Sequence, residues 1–139
     1  MDEALEAEIR AHVSSQDGRL VVLAPEEASS VVEEIARRFI RDAAMTWWWD
    51  SLAKPGTAVQ YGELDGLEHI RTVLSGKDRI LLVVTDDDPP PWLVLTGSVS
   101  EVLHLLRESR WFEYFLTDES FEWVVFDTHH NQIVTAGTI

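Results

Sequence analysis

Cysteine is absent from the 139-residue chain. That absence removes disulfides, zinc–thiolate centres and thiol nucleophiles together. Basic residues are scarce: 11 Lys and Arg stand against 25 Asp and Glu, a formal net charge of −14. A field of that sign repels phosphate, so neither nucleic acid nor an anionic membrane is an expected partner. A basic protein, in contrast, would be steered in by it. Long apolar runs are missing as well. The longest, near Ile80–Val84 and Trp92–Leu95, fall far short of the roughly 20 residues a membrane-spanning helix needs. The opening MDEALEAEIR is acidic, with no basic stretch leading into an apolar one, and does not read as a signal peptide. The compartment these features imply is the cytoplasm.

Signature motifs are lacking too. The chain contains no GxGxxG, no GxxxxGK[ST] and no GxSxG, so no dinucleotide fingerprint, phosphate loop or serine-hydrolase elbow is present. No cofactor and no catalytic residue is expected on those grounds. Thr96-Gly97-Ser98 leads from a strand into a helix and reads as an ordinary capped helix start rather than an anion site.

What remains is the material of a globular core. Hydrophobic residues make up 45% of the chain, and the length suits one domain spanning residues 1–139. Leu5, Ile9 and Val13 form a thin helical stripe. Arg19–Leu23 and Ala58–Tyr61 read as short strands. Pro25 opens a helix with Glu26 and Glu27 at the positive end of its dipole. Val32, Ile35, Ala36, Phe39, Ala43 and Trp47 then line one face if that helix runs on to Pro55-Gly56. Asp65 with Glu68, and Ser98 with Glu101, have capping-box spacing. Five longer strands are expected at Arg79–Thr85, Trp92–Thr96, Phe112–Thr117, Phe121–Asp127 and Gln132–Ala136. Short turns between the last three predict an antiparallel meander. The fold class implied is α+β, an antiparallel sheet of about five strands packed by helices.

Three features stand out, the first two as candidate binding residues. The first is Trp47-Trp48-Trp49. On a continuous helix, at about 100° per residue, Trp48 falls on the face of Arg37 and Arg41, roughly opposite Phe39. One helix face cannot bury all three indoles. Either other elements wrap that end, or a tryptophan is left for a partner.

The second is Asp127-Thr128-His129-His130-Asn131. Asp127, His129 and His130 carry acid–base and metal-ligating groups. Successive strand residues point to opposite faces, though, so these three are not expected to hold a metal jointly. A polar hairpin tip is the competing reading. His69 and His104 lie off the apolar stripes of their helices and read as surface.

The third is the tail. Phe121, Trp123 and Val125 are expected on one pleat face, Val124 and Phe126 on the other. Such strands need cover on both sides, from helices, another sheet or a second subunit. A homo-oligomer is therefore among the expectations. Asp86-Asp87-Asp88 lacks the alternation and the distal Glu of a calcium loop. With Pro89-Pro90-Pro91 it reads as a stiffened, solvated loop.

The arrangement Phe112-Glu113-Tyr114-Phe115, then Phe121-Glu122-Trp123, then Asp127-Thr128-His129-His130-Asn131 resembles the C-terminal part of small acidic bacterial proteins. These are similar to toxin-immunity proteins, of which the SUKH group is an example. The resemblance implies a role in binding one protein partner and carries over no catalytic residues. Together these features point to a protein-binding module, of the immunity type, that neutralises a basic toxin. The alternatives are a small enzyme or metal-binding protein using Asp127, His129 and His130, and a self-associating protein.

Overall fold

A sheet whose central strands are apolar on both faces dictates the architecture. The computed structural model describes residues 2–62 and 65–139. Among these, four α-helices are α1 (Glu3–Ser14), α2 (Pro25–Phe39), α3 (Gly66–Val73) and α4 (Val99–Glu108). Seven strands, β1 (Val21–Val22), β2 (Thr57–Gln60), β3 (Arg79–Val84), β4 (Leu93–Ser98), β5 (Tyr114–Thr117), β6 (Trp123–Asp127) and β7 (Gln132–Gly137), form one open sheet in the order β1-β4-β3-β5-β6-β7-β2. Every pairing is antiparallel. The α+β class and the meander of the last three strands are as expected. The count of five is corrected to seven, because both short segments pair at the sheet margins, β1 on β4 and β2 on β7.

The period-2 pleat sorts the core. Leu82, Val84, Tyr114, Leu116, Trp123 and Val125 face one helical layer, with Leu5 and Ile9 of α1, Ile70 of α3 and Val102 and Leu106 of α4. Leu81, Val83, Phe115, Val124 and Phe126 face the other layer, with Val31, Val32 and Ile35 of α2. Helices of the same chain thus cover both faces, and the doubly apolar strands require no second subunit. Phe121 departs from the expected alternation: it lies in the turn before β6 at φ 52° and packs with the α2 layer, opposite Trp123. There Arg38 of α2 donates to the Phe121 carbonyl (3.1 Å) and ties the helix to that turn.

Local signals set the helix ends. The Asp2, Asp65 and Ser98 side chains accept from the first-turn amides of α1, α3 and α4, satisfying donors that a helix start leaves open. Gly97 sits in β4 opposite Ile80, and a Cβ there would stand 2.5 Å from Leu20. Its smallness therefore serves packing. His104 is exposed as expected, while His69 is half-buried.

The continuous helix through the tryptophans is not formed. Helix α2 ends at Phe39, and Ile40 turns extended to bridge Leu52. Arg41 donates to the Ser51 carbonyl (2.7 Å) and Ala53 to that of Phe39 (2.7 Å), closing residues 40–52 into a loop. Ala43 and Trp47, expected on the buried helix face, are exposed. Trp48 begins a short 3-10 turn and drops onto the sheet at 4% exposure. Its ring meets Trp92 edge-on (4.8 Å between centroids) and stacks near Phe115 (5.9 Å), and its Nε1 donates to the Ala43 carbonyl (3.1 Å). Breaking the helix lets the three indoles diverge, which no single helix face permits.

Trp48→Ala should therefore cost about 3–5 kcal/mol, as expected for emptying a large buried aromatic site. Trp47→Ala should cost less than about 1.5 kcal/mol, because it removes a surface contact and one hydrogen bond. Urea unfolding of both variants checks this, and equal losses would contradict the assignment of Trp48 to the core.

Candidate functional site

Four of the six residues singled out in the sequence meet on one surface. Trp47 and Trp49 stack at 5.9 Å between centroids. His129 packs against Trp47 (4.8 Å) and Trp49 (5.8 Å), and His130 against Trp49 (5.6 Å). The expectation that the two imidazoles point apart is corrected: their centroids are 4.1 Å apart. They lie in a turn and not in the strand. Thr128 donates to the Gln132 carbonyl (2.9 Å), Asn131 donates back to that of Thr128 (3.2 Å), and Asn131 takes φ 57°. Asparagine tolerates that left-handed conformation better than most residues. The end of β2 and the residue after it clamp the tip, with Gln60 Nε2 donating to the His130 carbonyl (2.8 Å) and the Tyr61 amide to that of Asn131 (3.0 Å).

The other two residues go elsewhere. Trp48 is core. Asp127 pairs across the sheet with Tyr114 and so points to the opposite face from the histidines. There it is 5% exposed and accepts from the Tyr114 hydroxyl (2.8 Å) and the Tyr61 hydroxyl (2.9 Å). Burial pushes the Asp127 carboxyl above the usual aspartate range, and the two phenols pull in the opposite direction. Burial, with the neighbouring carboxylate, also raises both phenols. A cavity of about 170 Å³ beside this group is lined by Tyr61, Trp111, Phe112 and Arg110 among others.

Two residues of the histidine surface were not foreseen, Glu113 and Asp87. Glu113 immediately precedes β5 and is 4% exposed. Its carboxylate accepts from the His129 amide (3.0 Å) and pairs with His129 Nδ1. Burial raises the Glu113 carboxyl, the two bonds from His129 oppose the rise, and the Asp87 carboxylate adds to it. Asp87 comes from the loop between β3 and β4, where Asp86 and Asp87 hold φ 45° and 65°. The Thr85 and Asp86 amides both donate to the Glu113 carbonyl (3.1 Å each). Trp47 Nε1 donates to Asp87 Oδ1 (2.7 Å). The loop expected to be merely solvated therefore supplies one wall of the site. The legible signal for Glu113 was a charged residue inside the apolar run from Trp111 to Leu116, since buried carboxylates require dedicated partners.

The surface is shallow. Beneath the indoles a crevice lined by Trp47, Trp48, Trp49, Glu113 and Asp127 holds only about 10 Å³, room for about one water. A wider groove of about 800 Å³ runs between α2 and the loop at Pro90-Pro91, beside Trp48 and Trp92, and includes none of the histidines.

Fold and site together define a small acidic α+β protein with an open antiparallel sheet and an indole–imidazole–carboxylate patch at one end. The chain belongs to DUF6756, a family of unknown function, whose family model matches residues 5–139. Comparison with curated proteins and with solved structures gave no match. Among the described residues no helix is long and apolar enough to cross a membrane.

The buried carboxylate gives a pH prediction. Because the Asp127 carboxyl is raised by folding, it binds its proton more tightly in the folded than in the unfolded chain. The stability it contributes is full below the ordinary aspartate value of about 3.9 and is lost as pH rises through the folded value. In Asp127→Asn, the amide oxygen still accepts from one phenol and the amide NH2 can donate to the other. Melting temperatures should show the wild type losing ground to this variant as pH rises from about 4 towards neutrality. A gap constant across that window would contradict the assignment.

Proposed function

We infer that the chain is a protein-binding module, and that Trp47, Trp49, His129, His130 and Asp87 form its contact surface for a basic partner. One observation carries this reading. The Trp47 indole stands 36% exposed, yet it is held in place by stacking on Trp49 and by the bond to Asp87. A rigid, partly exposed indole is the residue type that anchors protein interfaces. Met45, two residues before Trp47, is 43% exposed.

Charge supports the same reading. Asp87 and Glu113 gather beside the indoles, and among the described residues no Lys or Arg forms an ion pair with either. With an overall charge of −14, the surface complements a cationic protein and speeds encounter with it. An immunity-type pairing, in which the acidic chain covers a basic toxin, fits the size, the charge and the C-terminal resemblance. Against an enzyme using Asp127, His129 and His130 stand two facts. Asp127 lies on the other sheet face, and the crevice at the indoles is too small for a substrate.

The test is co-expression with a basic toxin encoded beside the gene, followed by association kinetics. Raising ionic strength from about 0.01 to about 1 M shortens the Debye length from roughly 30 to roughly 3 Å. The association rate should fall steeply over that range. Trp47→Ala should raise the dissociation constant about 30-fold or more, the loss of an anchor worth about 2 kcal/mol. A salt-independent rate together with unchanged binding by Trp47→Ala would overturn the reading.

A further inference from the structure

We propose that Asp87, Glu113 and His129 bind one divalent transition-metal cation of the zinc class at the base of the indole patch. The three side chains come from three separate segments: the β3–β4 loop, the lead into β5 and the β6–β7 turn. One ligand atom of each lies within 4.8 Å of the other two. Tetrahedral coordination with bonds near 2.0–2.2 Å sets ligand atoms about 3.4 Å apart. Small side-chain adjustments therefore bring the three onto a shared ion.

A second observation points to a cation. Glu113 is a buried carboxylate, 4% exposed, beside a second carboxylate. Its ion-pair partner among the described residues is His129, an imidazole that carries charge only when protonated. Taking a carboxylate out of water next to another is costly unless positive charge is supplied. Nearby guanidinium or ammonium groups would do this in an ordinary buried pair, and a divalent ion does it here.

The surroundings are those of an oriented ligand set. Trp47 Nε1 bonds one oxygen of Asp87 (2.7 Å), and the Asp87 carboxylate also faces that of Glu113. The His129 amide bonds one oxygen of Glu113 (3.0 Å). Hydrogen bonds of this kind aim ligating carboxylates, and apolar walls such as Trp47 and Trp49 strengthen the ion's hold by limiting water. His130, 4.1 Å from His129 between ring centroids, is placed to supply a second imidazole, with water completing the shell. One or two imidazoles with two carboxylates suit zinc, cobalt or manganese. Calcium is disfavoured, because it takes six to eight oxygens. Asp127 takes no part.

The experiment is calorimetric titration of the full chain, freed of metal by chelation, with zinc, manganese and calcium chlorides. Native mass spectrometry gives the stoichiometry. One equivalent of zinc should bind, and calcium should not. Asp87 is exposed, so Asp87→Asn should leave the metal-free melting temperature unchanged and weaken zinc binding about tenfold or more. His129→Ala should abolish it, and Asp127→Asn should leave it intact. Cobalt should quench the fluorescence of wild type more than that of Trp47→Phe, because the ion would lie beside that indole. Absence of stoichiometric binding by wild type would overturn the proposal. So would equal affinity in wild type, Asp87→Asn and His129→Ala, which would place the metal elsewhere, for example at the His12–His104 pair. The titration uses the chain alone and is independent of any protein partner.

Discussion

The sheet must be covered on both faces, and most of the structure follows from that. Strands β3, β5 and β6 alternate large apolar side chains up and down the pleat. Each buried Leu, Val or Phe contributes about 1.5–3 kcal/mol only if its own side is shielded from water. Helices α1, α3 and α4 shield one side. Helix α2 alone is left for the other, and the segment after it completes the cover. That requirement bends the chain at Ile40 and lays Trp48 over Phe115 and Trp92. Once Trp48 is committed to the sheet, Trp47 and Trp49 can reach the rim of the same layer. The exposed indole is thus a by-product of covering the core, held where the β3–β4 loop and the β6–β7 turn also end.

The pleat also separates the two buried carboxylates. Tyr114 and Asp127 are cross-strand partners and share the face of α1, α3 and α4. Glu113, one residue earlier, belongs to the α2 side. The two acids sit close along the strands yet lie in different environments. Asp127 is satisfied by two phenols beside the cavity lined by Tyr61 and Trp111. Glu113 is satisfied by a backbone amide and an imidazole at the surface.

The strong negative charge is distributed with some economy. Several surface acids are paired locally: Asp2 with Arg110, Glu34 with Arg37, and Asp65 with Arg107. Each such exposed pair contributes little to stability. Asp87 and Glu113 differ in lacking an Arg or Lys ion pair among the described residues. The uncompensated acids therefore coincide with the indole patch, and a cationic partner, whether protein or metal ion, would find its strongest attraction there.

Local periodicity determined much of this protein by itself. Alternation over Arg79–Thr85 and Phe121–Asp127, the Ser98 and Asp65 caps and the stripe at Leu5 and Ile9 each act within a few residues. They marked the strands, the helices and the α+β class. The two margin strands were visible as short runs, but their membership in the sheet depended on finding β4 and β7. Tertiary structure alone decided the fate of Trp47-Trp48-Trp49, because helical periodicity continues past Phe39 while the sheet needs an indole lying flat. It alone brought Asp87 and Glu113 to His129. Their meeting depends on which strands pair and where three separate loops end, a long-range constraint that no window of neighbouring residues contains.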